Sequence, residues 1–285
     1  MEKIKLNNYE FGYEEKGEGE LIVFVHGSVS DYRTWENQIN EFSKKYHIIR
    51  YSRRYHWPNE KISESEDYSM YQHVIDLEEL LKNQKKPATL IGHSYGAFIC
   101  LLVAMKSPER IKRLILSEPP VITLYVSNTP KPLEILKLLF SRPRTAFALI
   151  KLGATGIEPA TKEIKRNKIK KAVEIFGKAT LGKDTYVNLS DSRMEQVYEN
   201  VIKAEFIGTG FPALNENEIR EIKVPTLLIS GQNSPKIFHL LLDRLMELIP
   251  NSKRKDIEGA SHISHEDNST DYNEIVLSFI EESSS

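Results

Sequence analysis

The sequence predicts an α/β fold: a mostly parallel sheet with helices on both faces and a helical cap inserted into it. Three observations carry this prediction. Strand-like and helix-like patterns alternate up to about residue 121. From there to about residue 215 only helical patterns occur, broken by prolines. The alternation then resumes to residue 285. Strands that alternate with helices form parallel sheets, because each helix carries the chain back to start the next strand in the same direction. The expected organisation is a first core part over 1–121, a cap over 122–215 and a second core part over 216–285.

The elements follow in order. "KIKLNN" and "YEFGYEEK" alternate apolar and polar residues, as two strands of a hairpin do. "ELIVFVHG" is a continuous apolar run ending in glycine, the pattern of a strand covered on both faces. Trp35, Ile39 and Phe42 then recur at helical spacing. "HIIRYS" reads as a strand, and "SMYQHVIDLEELLKNQ" as a helix with Val74, Leu77 and Leu81 on one stripe. "ATLIGHSYG" is a strand entering a turn, "AFICLLVAMKS" an apolar helix stopped by Pro108, and "IKRLILSE" the next strand. The cap segment holds "LEILKLLF", "RTAFALIKL" and "IKKAVEIFGKA" as helices. "VPTLLISG" (strand), "IFHLLLDRLMELI" (helix), "SKRKDIEGAS" (short strand) and "DYNEIVLSFIEE" (helix) complete the chain, with the polar "EESSS" expected to fray.

Composition narrows the function. A chain of 285 residues is long enough for one large domain with an insertion, and 40% hydrophobic with 28% charged residues is an ordinary globular balance. A net charge of -1 supplies no field that would draw nucleic acid or an anionic membrane. Cys100 is the only cysteine, which rules out an internal disulfide and a cysteine-rich metal site. No apolar run approaches the ~20 residues that span a bilayer, and the first residues lack the apolar core of a signal peptide, so a cytoplasmic protein is expected. The glycines form neither a P-loop nor a dinucleotide fingerprint, and no cofactor is expected.

"GHSYG", Gly92 to Gly96, has the G-x-S-x-G spacing between an expected strand and an expected helix. A serine on so tight a turn points its oxygen out of the sheet, and the glycines let neighbouring backbone come close. The helix that follows aims its N-terminus at the site, which favours developing negative charge. An N-cap role is the plain alternative for Ser94. His93, next to it in sequence, is read as a packing or turn residue.

Four motifs in order, "FVHGSVSDYRTW", "LIGHSYGAF", "VPTLLISGQ" and "IEGASHISHED", resemble those of the α/β-hydrolase family over nearly the whole chain. The resemblance implies that Ser94 is the nucleophile and that His262, two residues after the Gly-Ala pair Gly259 and Ala260, is the base, with His265 as runner-up. It implies an oxyanion hole made by the backbone N–H groups of Ser28 and Tyr95. Gly27 is expected to make the turn of that loop and His26 to order it through hydrogen bonds.

The acid that would orient His262 is missing from its usual place. In most relatives it is an aspartate after the strand that follows the cap, where this chain has Asn233 and Ser234. Glu118, at the end of the preceding strand of the sheet, is the natural replacement. Adjacent strands lie about 4.8 Å apart, glutamate has one methylene more than aspartate, and Pro119 and Pro120 restrict the backbone beside it. A solvated strand-end carboxylate is the alternative, and Asp256 and Asp267 are weaker candidates.

In "YSRRYHWP", His56 and Trp57 are candidate substrate contacts, and the arginines are expected to pin the loop through ion pairs. "KEIKRNKIKK" is read as the outer face of a cap helix, with Ile164, Val173 and Phe176 turned inward. Of the cap aromatics Tyr125, Phe140, Phe147 and Phe176, most are expected in the core. The expected function is hydrolysis of a small-molecule carboxylic ester or lactone through an acyl-enzyme. Carbon–carbon or amide hydrolysis on the same fold, or a low-turnover ligand-binding protein, are the alternatives.

Overall fold

Alternate residues of a strand face opposite sides of its sheet, and here both sides are apolar. In the computed structural model, which describes residues 2–63 and 68–283, Ile22 and Phe24 face one layer of the core while Val23 and Val25 face the other. The terminal serines 284 and 285, expected to fray, lie outside the described residues.

Eight strands form one sheet: β1 (Glu2–Leu6), β2 (Tyr9–Lys16), β3 (Leu21–Val25), β4 (His47–Tyr51), β5 (Ala88–His93), β6 (Ile111–Ser117), β7 (Thr226–Gly231) and β8 (Ser252–Ile257). Their order is β1-β2-β4-β3-β5-β6-β7-β8. β1 pairs antiparallel with β2, and β2 with β4; every other pairing is parallel. One face packs Trp35, Phe42, Tyr272 and Val276 from the helices beside it. The other packs Leu77, Phe98, Leu241 and Leu245. The central strands are covered on both sides, which is why they read as unbroken apolar runs.

The described elements between β6 and β7 are all helical, from the turn Ile122–Leu124 to the helix Glu216–Arg220. Ile164 and Val173 are buried as expected, but Phe140 and Phe147 correct the reading of the cap aromatics: they are 84% and 66% exposed. The helices Pro132–Ser141 and Pro143–Leu152 turn Leu138, Ala146 and Leu149 inward, so these two rings fall on the outer face. Among the described residues, no helix is long and apolar enough to cross a membrane.

Candidate active site

β5 and β6 are neighbours in the sheet, and their ends carry the central residues. Ser94 follows β5 directly and has φ 50° and ψ -117°, a left-handed conformation that a non-glycine residue adopts only when its surroundings enforce it. The enforcement is visible on either side. A Cβ on Gly96 would lie 2.2 Å from the Val25 carbonyl oxygen, and one on Gly92 would lie 2.6 Å from Ala97 Cα. The helix Tyr95–Lys106 therefore meets the sheet backbone to backbone, and its first residue is Tyr95. At that position the Tyr95 N–H has no acceptor within its own helix. The Tyr95 ring is buried with the Arg53 guanidinium 4.5 Å above it.

Glu118 follows β6 and, like Ser94, has a positive φ, of 48°. Its N–H donates to Ile229 O of β7. The side chain is buried. Oε2 lies 2.5 Å from His262 Nδ1, and Oε1 accepts the Gly231 N–H at 2.8 Å. Burial raises the Glu118 carboxyl to about 8, against the pull of the Ser234 hydroxyl and the Gly231 N–H. Burial also lowers His262 to about 3. Both directions have one cause: without water, the site tolerates net charge on this pair poorly.

The loop that lacks the aspartate performs a different task. Asn233 donates from Nδ2 to Gly259 O at 2.9 Å, and its N–H donates to Ala260 O at 2.8 Å. It thus fixes the segment that carries His262. Phe238 stacks on the imidazole with centroids 4.0 Å apart, and Asp267 accepts the Ser261 N–H at 2.7 Å. His93 joins its ring to the His262 carbonyl oxygen at 2.8 Å. Of the weaker acids, Asp256 accepts from Ser230, and neither it nor Asp267 is bonded to the His262 ring. His265 is buried behind the site, 4.3 Å from the Trp35 ring and bonded through Nε2 to Thr34 Oγ1 at 3.0 Å.

Ser28, Ser94 and His262 line one pocket, roofed by cap residues that include Val173, Phe176 and Val197. The loop bearing Ser28 is held from below. His26 Nε2 accepts the Arg53 N–H at 2.8 Å, and its Nδ1 bonds to Gly27 O at 2.9 Å. Gly27 serves by its smallness: a Cβ there would sit 2.8 Å from His93 Nδ1, while the positive φ of this loop belongs to Val29.

His56 and Trp57 are not brought to the pocket wall. His56 is buried, with Nδ1 2.7 Å from Ser30 O and Nε2 3.5 Å from Glu205. Trp57 stacks under the Arg33 guanidinium at 3.6 Å. The arginines of the same loop do form ion pairs, Arg54 with Asp76 and Arg53 with Glu205 of the cap. Glu205 is buried and its pKa is held down by Arg53, His56 and Ser28, against the effect of burial. Sequence spacing carried no sign of this cap–core link, because Arg53 and Glu205 are 152 residues apart.

A strained serine between strand and helix, a buried histidine–carboxylate pair and a helical cap define the class. The chain belongs to the family described as the alpha/beta hydrolase fold, whose model matches residues 20–269. Among curated relatives it is similar to an uncharacterised hydrolase, YraK, of Bacillus subtilis, at 32% identity over 43% of this chain and 45% of the relative. It is also similar to epoxide hydrolase 4 of Mus musculus, at 28% identity over 46% of this chain and 38% of the relative. The matched segments thus span less than half of these relatives. Among solved structures, MenH from S. aureus superposes with a TM-score of 0.73 at 24% identity, covering 96% of this chain and 99% of that one. An esterase from Exiguobacterium antarcticum superposes with a TM-score of 0.74 at 17% identity, covering 96% of each chain. Likeness at these identities shows the fold alone.

Proposed function

We propose that the protein is a serine hydrolase that cleaves a carboxylic ester or lactone through an acyl-enzyme. The supporting observation is the left-handed Ser94 on the wall of the pocket that also receives His262, whose far nitrogen is bonded to buried Glu118. Glu118 holds the proton on Nδ1, which leaves Nε2 free to accept one. His262 Nε2 takes the proton from Ser94 Oγ as that oxygen attacks the carbonyl carbon. The N–H groups of Tyr95 and Ser28 receive the oxyanion, and each such donor is worth roughly 3–4 kcal/mol in the transition state. His262 then gives its proton to the departing alkoxide oxygen. Water, deprotonated by the same nitrogen, attacks the acyl-enzyme and frees the acid. The apolar cap wall takes the acyl chain.

A panel of p-nitrophenyl esters and lactones tests this, with Ser94→Ala as control. Turnover that disappears with Ser94→Ala, together with an acyl adduct of matching mass on Ser94, supports the function. Turnover that survives the substitution, or none across the panel, refutes it.

A further inference from the structure

The cap side of the pocket carries one guanidinium, and half of it is unused. Arg193, on the helix Asp191–Glu199, lines the pocket that holds Ser94 and His262. Its Nε donates to Glu266 Oε2 at 2.8 Å and its Nη2 to Glu266 Oε1 at 3.0 Å. This two-point clamp sets the plane of the guanidinium, and Glu266 is itself held by the Thr34 hydroxyl. Nη1 is shielded from solvent and has no hydrogen-bond acceptor among the described residues. A buried charged donor without an acceptor is costly to maintain and rare in folded proteins.

A second orphan lies on the core side of the same pocket. The Ser30 Oγ is buried and without a hydrogen-bond partner among the described residues, while the Ser30 backbone is fixed by the bond between its carbonyl oxygen and His56 Nδ1. Neither atom has a part in the hydrolytic steps. Much of the remaining wall is apolar, including Phe176, Leu189, Met194 and Val197, with Thr180 and Tyr186 among its polar members. Two unused donors on residues that line a largely apolar chamber call for an oxygen acceptor on the ligand.

We propose that Arg193 Nη1, assisted by Ser30 Oγ, binds an acceptor oxygen of the substrate away from the scissile carbonyl, an assignment that rests on the serine-hydrolase function above. The substrate class is then narrower than esters at large: acyl compounds with a second oxygen function, a carboxylate or a ketone, joined to the reacting carbonyl by an apolar chain. Glu266 balances the charge of Arg193, so a neutral ketone and a carboxylate share the required chemistry.

The test uses the full chain and methyl esters in matched sets of graded length. One such set is methyl hexanoate, methyl 5-oxohexanoate and monomethyl adipate. At the fitting length the oxygen-bearing ester exceeds its apolar partner in kcat/KM by about 10- to 100-fold, the range that one hydrogen bond to a charged donor supports. Which of the two oxygen-bearing esters gains identifies the oxygen function. Arg193→Lys keeps the charge but loses the planar fork, and it collapses that ratio through KM; Ser30→Ala lowers it less. No preference at any length overturns the assignment, as does a variant that slows both esters equally. Should Arg193→Lys fail to fold, wild-type selectivity and Ser30→Ala decide. Should no ester turn over, calorimetric binding of 5-oxohexanoate and adipate against hexanoate decides instead. An Arg193-dependent preference sustains the subsite although hydrolysis has failed, and equal binding overturns it.

Discussion

Glu118→Gln isolates the proposed acid with the least change of shape. Its two oxygens have different duties: Oε1 accepts the Gly231 N–H at 2.8 Å and Oε2 faces His262 Nδ1 at 2.5 Å. An amide has one oxygen, so glutamine can satisfy only one of them. If the amide oxygen faces Gly231, its NH2 group meets Nδ1, which must then give up its proton. The imidazole takes the other tautomer, with Nε2 protonated and unable to act as a base. If the amide is reversed, its NH2 group meets the Gly231 N–H, and a buried clash of donors costs about 1–3 kcal/mol. The first orientation is favoured, and a wrong tautomer costs roughly ten-thousand-fold in kcat in the serine protease triad. A loss of about 10³- to 10⁴-fold is expected here, against a Ser94→Ala background and with p-nitrophenyl butyrate as substrate. Two further readouts separate catalysis from folding. In the wild type, the base forms only when the buried pair loses a proton and becomes negative. The acid limb of kcat/KM therefore lies above the ordinary histidine value of 6.5, toward the value of about 8 to which burial raises Glu118. The variant's residual activity has its limb well below 6.5, because only buried His262, lowered to about 3, then titrates. Stability moves the opposite way. A carboxyl raised from 4.5 to about 8 favours the fold when protonated, and this contribution is lost as pH rises through 8. Glu118→Gln therefore melts higher than the wild type at pH 8 and above, relative to their difference at pH 4. Activity within fivefold of wild type, or severe loss in Asn233→Ala instead, refutes the assignment of Glu118.

Two other outcomes follow from buried groups. Burial lowers His93 to about 3 and holds His26, His73 and His265 well below 6.5, so their neutral forms stabilise the fold above pH 6.5 and this contribution is lost as pH falls toward 3. The melting temperature should drop steadily over that window in a calorimetric pH series, and a flat profile from 6.5 to 4 contradicts it. Glu205→Gln leaves the buried Arg53 without its carboxylate, and breaking such a pair costs about 3–5 kcal/mol; a change below 1 kcal/mol by urea unfolding shows that the cap–core link carries little stability.

The central strands were legible because each is covered on both faces, which leaves no polar alternation to obscure them. The contact between Glu118 and His262, 144 residues apart, was legible for a negative reason: Asn233 and Ser234 leave no acid where one is usual. Whether that contact acts in catalysis is for Glu118→Gln to decide. The cap was less legible. Phe140 and Phe147 sit at positions whose spacing also suits the core, and only the packing of Leu138, Ala146 and Leu149 shows which face turns inward. His56, expected as a substrate contact, lies away from the pocket wall, and Arg193, which no motif singled out, lines it, for a related reason. A buried bond to Ser30 O and an orphaned Nη1 are properties of the tertiary fold, and no local pattern encodes either.

The chain order of these residues also governs when the site can exist. Ser28, Ser94, Tyr95 and Glu118 all precede the cap, whereas Gly231 and His262 follow it. As the chain is made from its N-terminus, Ser94 and Glu118 are present with neither the histidine nor the backbone N–H that binds Oε1. A half-made chain thus holds a serine without its proposed base and a carboxylate without its two partners. Pairing of β6 with β7 and of β7 with β8 brings in both partners. Assembly of the proposed triad and completion of the sheet become one event, so Ser94 stays without its proposed base until β7 and β8 are in place.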